Sequence, residues 1–262
     1  MPPPSREWGL ICVYSHAMTR SSETTISVHR ETMLLDRSGA AFVPGEATLV
    51  FADLHFEKGS AFARRGAFLP PYDTRSTIRR MTEAIARFSP ARIVALGDSF
   101  HDGEAAGRLG DDDCAALKRL TKTCEWIWVE GNHDPKPPDW LGGTVASEIA
   151  LGGLVLRHLP RACEAPGEVA GHLHPSTVVA RRGLSVRRRC FASDGRRLLL
   201  PAFGAYTGGL DVRDEAVAAL FPEGCSIYAL GRERVYAVQL KRRKTADASH
   251  PNKTARNTVA TP

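Results

Sequence analysis

The feature that most limits what this chain can become is a repeated unit: a short apolar run followed at once by polar residues able to hold a metal. Thr48–Ala52 runs into Asp53-Leu54-His55, and Arg92–Leu96 runs into Gly97-Asp98. The run 126–129 precedes Gly131-Asn132-His133-Asp134, the run from Leu154 leads to His158, and Val169 leads to Gly171-His172-Leu173-His174. Apolar runs of this length bounded by turn residues predict buried strands. Helical spacing intervenes: Ile78, Met81, Ile85 and Phe88 follow Asp73, a candidate N-cap, and end at Pro90, and a second helix is expected over 113–123. Strand, polar loop and helix in repeated order describe a layered α/β core whose polar clusters gather at the carboxyl ends of the strands.

From residue 145 the pattern changes. The segments 145–149, 154–158, 178–180, 198–200, 227–230 and 235–240, with Val169, are short strand candidates separated by turns rather than helices. A second sheet packed against the first is expected, with the polar clusters at one edge of the sandwich.

The side chains in these clusters point to one chemistry. Asp-x-His and His-x-His would present two ligands on one side of an extended segment, because side chains alternate with period two. The glycines before Asp98, Asn132 and His172 permit tight turns and close backbone approach. Carboxylate, amide and imidazole without thiolate suit borderline divalent ions such as Mn, Fe, Zn or Ni. Any single cluster is an ordinary polar loop; five in this order, each after a strand, are not.

This ordered set, D-x-H, G-D, G-N-H-[D/E], H and G-H-x-H, resembles the calcineurin-like metallophosphoesterase superfamily, and the resemblance spans roughly residues 47–239. It implies a four-layer αββα sandwich of two mixed β-sheets flanked by helices, and hydrolysis of phosphate esters by a hydroxide formed between two divalent ions. Mn2+ is foremost among those ions, with Fe, Zn and Ni as alternatives. Carried over by position, Asp53, His55 and His174 would hold one metal, Asn132, His158 and His172 the other, and Asp98 would bridge them. His133, as a protonated imidazole near the leaving group, would stabilise the transition state or donate a proton to the departing alkoxide. Relatives pair that histidine with an Asp three residues after the bridging one. Here His101 holds that place with Asp102 next to it, and Asp102 is the expected orienting residue.

Longer strings narrow the resemblance. Residues 52–59 (ADLHFEKG), 97–102 (GDSFHD), 167–175 (GEVAGHLHP) and 197–212 (RLLLPAFGAYTGGLDV) are similar to the ligase-associated DNA damage response endonucleases, the PdeM family. That resemblance implies DNA as substrate, DNA repair as context, and DNA-ligase-associated repair factors as partners. In the last string Gly204, Gly208 and Gly209 predict a loop close to the site, and Tyr206 would either stack on a base or pack in the core. Arg64 and Arg65 after the first motif, and Arg181, Arg182, Arg187, Arg188 and Arg189 after the last, are placed to meet phosphates or to remain exposed on a hairpin.

Charge adds less than it first promises. The chain of 262 residues carries a formal +6, but 241–262 holds six basic residues against one acid, Asp247, so +5 of it lies there. Such a tail either solubilises or tracks a phosphate backbone. Residues 1–24, rich in Pro, Ser and Thr, are expected without regular structure or as an extension upstream of a later start at Met18 or Met33. The domain is expected over 25–240, with a disordered tail over 241–262. The apolar stretch 8–14 lacks a cleavage pattern for export, no run approaches a membrane span, and the six cysteines form no C-x-x-C pair. A reduced, cytoplasmic protein is expected. Two further function classes compete with a DNA enzyme. A small-molecule phosphoesterase acting on cyclic nucleotides, nucleotides or phosphoproteins would use the same ligands. A non-catalytic scaffold would be expected to lack some of them.

Overall fold

The segment Thr48–Ala52 shows why the chain forms layers. All five of its residues are buried; Leu49 and Phe51 belong to a core shared with helices, whereas Val50 and Ala52 belong to a second core shared with the other sheet. A strand covered on both faces reads as a continuous apolar run rather than an alternation. Ile93 and Ala95 against Val94 and Leu96 divide in the same way.

The computed structural model describes residues 12–13, 23–134, 137–162, 165–181 and 184–239. In chain order its elements are β1 (Cys12–Val13), β2 (Glu23–Val28), β3 (Glu31–Asp36), β4 (Ala41–Val43), β5 (Thr48–Ala52), α1 (Lys58–Arg64), α2 (Asp73–Phe88), β6 (Arg92–Leu96), α3 (Asp111–Leu120), β7 (Glu125–Val129) and β8 (Thr144–Ala146), then β9 (Glu148–Leu151), β10 (Leu154–Arg157), β11 (Glu168–Ala170), β12 (Ser176–Arg181), β13 (Leu184–Ser193), β14 (Arg197–Leu199), α4 (Glu215–Ala218), β15 (Ser226–Leu230) and β16 (Val235–Gln239). One sheet runs β2-β3-β4-β5-β6-β7-β8, the other β1-β16-β15-β13-β14-β11-β10-β9, with β12 paired to β13. β5 to β8 are mutually parallel, as are β10, β11 and β14. Helices α2 and α3 cover the outer face of the first sheet; Val217 of α4, with Leu220 and Phe221, covers the second. The chain is an α/β sandwich of two mixed sheets with few helices.

Several expectations shift in the structure. The segment 145–149 is not one strand: β8 pairs with β7 in the first sheet and β9 with β10 in the second, so the chain changes sheets at Ser147. Periodicity cannot register such a break, because both halves remain extended. Asp73 is the first residue of α2 rather than its cap, and its carboxylate accepts from the Gly59 N–H at 2.8 Å. The helix expected over 113–123 begins earlier, at Asp111, where three acidic residues occupy its first turn. The hairpin β2–β3 and the short β4, which pairs with β3 and β5, were not predicted. Residues 1–11, 14–22 and the basic tail from 240 onward lie outside the described residues, while Cys12–Val13 pair antiparallel with β16.

Candidate metal centre

The parallel ladder between β5 and β6 does not stop at the strand ends. Asp53 N–H donates to the Gly97 carbonyl at 3.3 Å, His55 N–H to Asp98 at 2.9 Å and Phe56 N–H to Ser99 at 2.8 Å, so the first two polar loops are zipped together. The third loop locks onto the second. His133 N–H donates to Asp98 Oδ1 at 2.9 Å, and the Asp134 carboxylate accepts from the N–H groups of Ser99 and Phe100 at 3.1 and 2.8 Å. Burial and then the nearby Asp98 charge push the Asp134 carboxyl up to about 7 despite those two donors. The second sheet joins through His172 N–H, 3.0 Å from Asp53 Oδ2, and through His158 Nδ1, 3.1 Å from the Leu96 carbonyl.

The ligand spacing does not work by extended alternation. Asp53 (φ 53), His55 (φ 44), Asp98 (φ 45), His172 (φ 65) and His174 (φ 46) all lie in the left-handed region. For residues with a Cβ this costs about 1–2 kcal/mol each, and it concentrates where the surrounding structure forces it. Left-handed turns on both members of each D-x-H and H-x-H pair, rather than period two, bring the side chains together. The preceding glycines are needed for approach: a Cβ on Gly97 would lie 2.3 Å from the His158 ring, and one on Gly131 2.1 Å from the Asp98 nitrogen.

Two groups of side chains result. Asp53, His55 and His174 place ligand atoms within 4.8 Å of one another, and so do Asp98, His158 and His172. Asn132 joins the second group, its Oδ1 2.8 Å from His158 Nε2. Asp98 lies between them, Oδ1 3.4 Å from His158 Nε2 and Oδ2 3.8 Å from His55 Nε2. Burial opposes ionisation of Asp98, but the His158 contact and the His133 N–H hold its carboxyl well below the usual range. Burial, then the charges of His174 and Lys58, pull His55 down to about 2, which keeps it a neutral imidazole with a free lone pair. Both ring nitrogens of His55 and Nε2 of His174 are buried without a hydrogen bond. Such orphans cost about 1–3 kcal/mol each, and His158 Nε2 faces an amide oxygen and a carboxylate. Unpartnered imidazole nitrogens beside two buried carboxylates are a donor set that fits divalent cations.

Residues 47–184 match the calcineurin-like phosphoesterase family model. The chain belongs to the calcineurin-like phosphoesterase family. Among solved structures it is similar to Pseudomonas putida nuclease MPE, at 26% identity and a TM-score of 0.63, covering 82% of this chain and 99% of that one. It is also similar to Yfce, a phosphoesterase from E. coli, at 16% identity and a TM-score of 0.37, covering 73% and 97%. No curated protein matches it. The chain is a metal-dependent hydrolase of phosphoester bonds.

Around this calcineurin-like centre, the other expected residues take varied places. His133 is exposed; its Nδ1 lies 2.9 Å from the His101 backbone carbonyl and its Nε2 3.9 Å from Asp98 Oδ2. Asp102, expected to orient it, is instead engaged by Arg108 at 2.9 and 2.8 Å, which draws its carboxyl down. The partner of His133 Nδ1 is thus a main-chain oxygen rather than the Asp102 carboxylate. Arg64 pairs with Glu104, and Arg64 and Arg65 line a cavity of about 510 Å³ with Ala61, Asp102, Gly103 and Glu104. The Tyr206 hydroxyl donates to the Pro70 carbonyl at 2.7 Å. Of the hairpin arginines, Arg187 donates to Ser176 Oγ, and Arg182 lies outside the described residues. Arg189 is no phosphate contact: it turns inward and donates to the carbonyls of Ala202, Phe203 and Gly204 at 2.8, 3.3 and 3.1 Å.

Those contacts explain the string 197–212. Phe203 and Gly204 N–H groups donate to the carbonyls of Ala52 and Asp53 at 2.8 and 3.1 Å, and Leu210 N–H to Leu173 at 3.4 Å. Arg80 donates to Phe203 from the other side. A Cβ on Gly209 would meet the His174 carbonyl at 1.9 Å. The loop buttresses both terminal ligand motifs from behind, a role that a linear reading could not assign to Arg80, Arg189 or Gly209.

Proposed function

We propose that this protein is a DNA phosphodiesterase or endonuclease working through a dinuclear manganese centre in DNA repair. The observation that carries this reading is the interlocking of two ligand groups through Asp98, with His133 on the exposed rim beside them. Bound there, a pair of divalent ions would supply Lewis acidity to a phosphoryl oxygen and make water acidic enough to act as nucleophile. Asp53, His55 and His174 would hold one ion, Asn132, His158 and His172 the second, and Asp98 both. His133 would donate its Nδ1 proton to His101 and, when protonated, release its Nε2 proton to the departing alkoxide.

The surroundings support a large substrate. His133 stacks on His101 (centroids 5.7 Å, 17°), and His101 on Phe62 (6.3 Å, 24°), a path leading towards the cavity lined by Arg64 and Arg65. Arg64 is tied to Glu104, so Arg65 is the cation we assign to a neighbouring phosphate. The likeness to a nuclease at 26% identity supports DNA over small esters. A reducing compartment accords with Cys114, Cys124, Cys190 and Cys225 being free.

The deciding experiment compares plasmid, single-stranded DNA, a cyclic nucleotide and bis-nitrophenyl phosphate with Mn2+, Zn2+ or no metal. Manganese-dependent nicking or cleavage of DNA is expected. Turnover of small esters with DNA left intact would make this a small-molecule phosphoesterase instead. Cells lacking the gene should be sensitised to DNA-damaging agents, and unchanged survival would remove the repair role.

A further inference from the structure

Lys58 opens α1 three residues beyond His55. Its place is fixed from several directions. Phe56 bridges Phe100 across the first two ligand loops, and Glu57, with φ 64, turns the chain into the helix. Glu57 N–H donates to Thr74 Oγ1 at 2.9 Å and Gly59 N–H to Asp73 Oδ2 at 2.8 Å. The lysine between them is thus held where the loops 53–57 and 98–101 meet. Its ammonium lies within electrostatic reach of Asp53, Asp98 and Asp73, and of the His55 and His101 rings.

It is half-buried and, among the described residues, makes no hydrogen bond or ion pair. The other inward-facing cations here all have partners: Arg108 has Asp102, and Arg80 and Arg189 have main-chain carbonyls. Burial draws the Lys58 ammonium below its ordinary pKa, against the pull of the three aspartates. Two dications engaging Asp53 and Asp98 would outweigh those carboxylates at the ammonium, and an incoming anion would offset the excess positive charge.

We infer that Lys58 is a catalytic residue whose ammonium binds a non-bridging oxygen of the scissile phosphate and steadies the charge that gathers there. This rests on the two-metal reading above. In the reaction, an oxygen–phosphorus bond forms from water, whose released proton passes to solvent, the bond to the leaving oxygen breaks, and His133 supplies the leaving group's proton and regains one from solvent. Lys58 keeps its proton throughout.

Three variants test it: Lys58→Ala, Lys58→Met, which keeps the apolar stem, and Lys58→Arg. Calorimetry first measures Mn2+ binding, then inorganic phosphate binding to the Mn-loaded protein, and bis-nitrophenyl phosphate turnover follows. Loss of a charge-assisted hydrogen bond should weaken phosphate about 10- to 100-fold in the Ala and Met variants, lower kcat to a similar degree, and leave Mn2+ affinity equal or tighter. Arg should restore part of the phosphate affinity. Phosphate binding that survives in Lys58→Met overturns the proposal, and so does loss of Mn2+, which would make Lys58 a structural prop. Wild-type protein that binds one Mn2+ only, or hydrolyses no ester, would instead overturn the two-metal reading itself.

Discussion

Asp98 touches both ligand groups, and its removal should be felt by both. Asp98→Ala is expected to lower metal content below two equivalents and abolish hydrolysis while the circular dichroism spectrum stays native; an active variant with two full equivalents by elemental analysis would contradict this. His133 separates binding from chemistry, because its exposed ring keeps Nε2 3.9 Å from Asp98 Oδ2 and only its backbone N–H bonds that ligand. His133→Ala should keep its metals and lose about 10²–10⁴ in kcat, more on DNA than on nitrophenyl esters, whose leaving groups need no proton. Equal losses on both would assign His133 another role. At this scale much was readable in the sequence: residue type and order alone singled out the side chains that the two groups bring together. The backbone was not. Period-two alternation assumes extended residues, and nothing in Asp-Leu-His or His-Leu-His announces positive φ at both ends. Nor could side-chain identities reveal that the partner of His133 Nδ1 is the carbonyl of His101, since every residue has one.

Of the strands that carry ligands, β5 and β6 were the most readable, because burial on both faces makes each a nearly continuous apolar run, whereas β10 ends in Arg157 and β11 opens on Glu168. The hairpin β2–β3 mixes polar and apolar residues without a run that stands out, and the change of sheet at Ser147 falls inside one extended stretch, so neither left a clear trace. The loop 201–212 falls between these cases: visible as an unusual string, explicable only once Ala52, Asp53 and Leu173 are seen behind it. Two adjacent glycines give it a matched test. A Cβ on Gly208 meets nothing within 4 Å, whereas one on Gly209 would run into the His174 carbonyl at 1.9 Å. Gly208→Ala should therefore be silent, and Gly209→Ala should displace His174 and weaken metal binding about 10- to 100-fold, as loss of outer-shell support does. Equal metal titrations for the pair would mean the loop yields rather than props.

Across the molecule, the centre joins the two sheets. Asp53 and Asp98 extend from the first and His158, His172 and His174 from the second, so bound cations would tie the two sheets through one set of ligands. Metal should therefore act on global stability: Mn2+ at about 100 times its Kd adds about 2.7 kcal/mol per independent site, and a chelator should lower Tm in a single cooperative transition. A melting curve indifferent to both would mean the sheets hold together without it. The tail is a separate matter of charge. Truncation after Leu240 should flatten the dependence of log K on log salt by about 0.9 for each duplex phosphate that the tail had neutralised, roughly one to three phosphates in all, with small-ester turnover intact. An unchanged slope would leave DNA recognition to the body of the protein. The buttressing loop also has a bearing on how the molecule is born. Asp53 leaves the ribosome about 150 residues ahead of Gly209, an interval of roughly 8–30 s at about 5–20 residues per second. Until the loop arrives, the carbonyls of Ala52, Asp53 and Leu173 lack their donors and the left-handed ligand backbones lack their support, so a nascent chain cannot present a finished centre. The centre is therefore completed only once the chain has been made at least as far as Gly209.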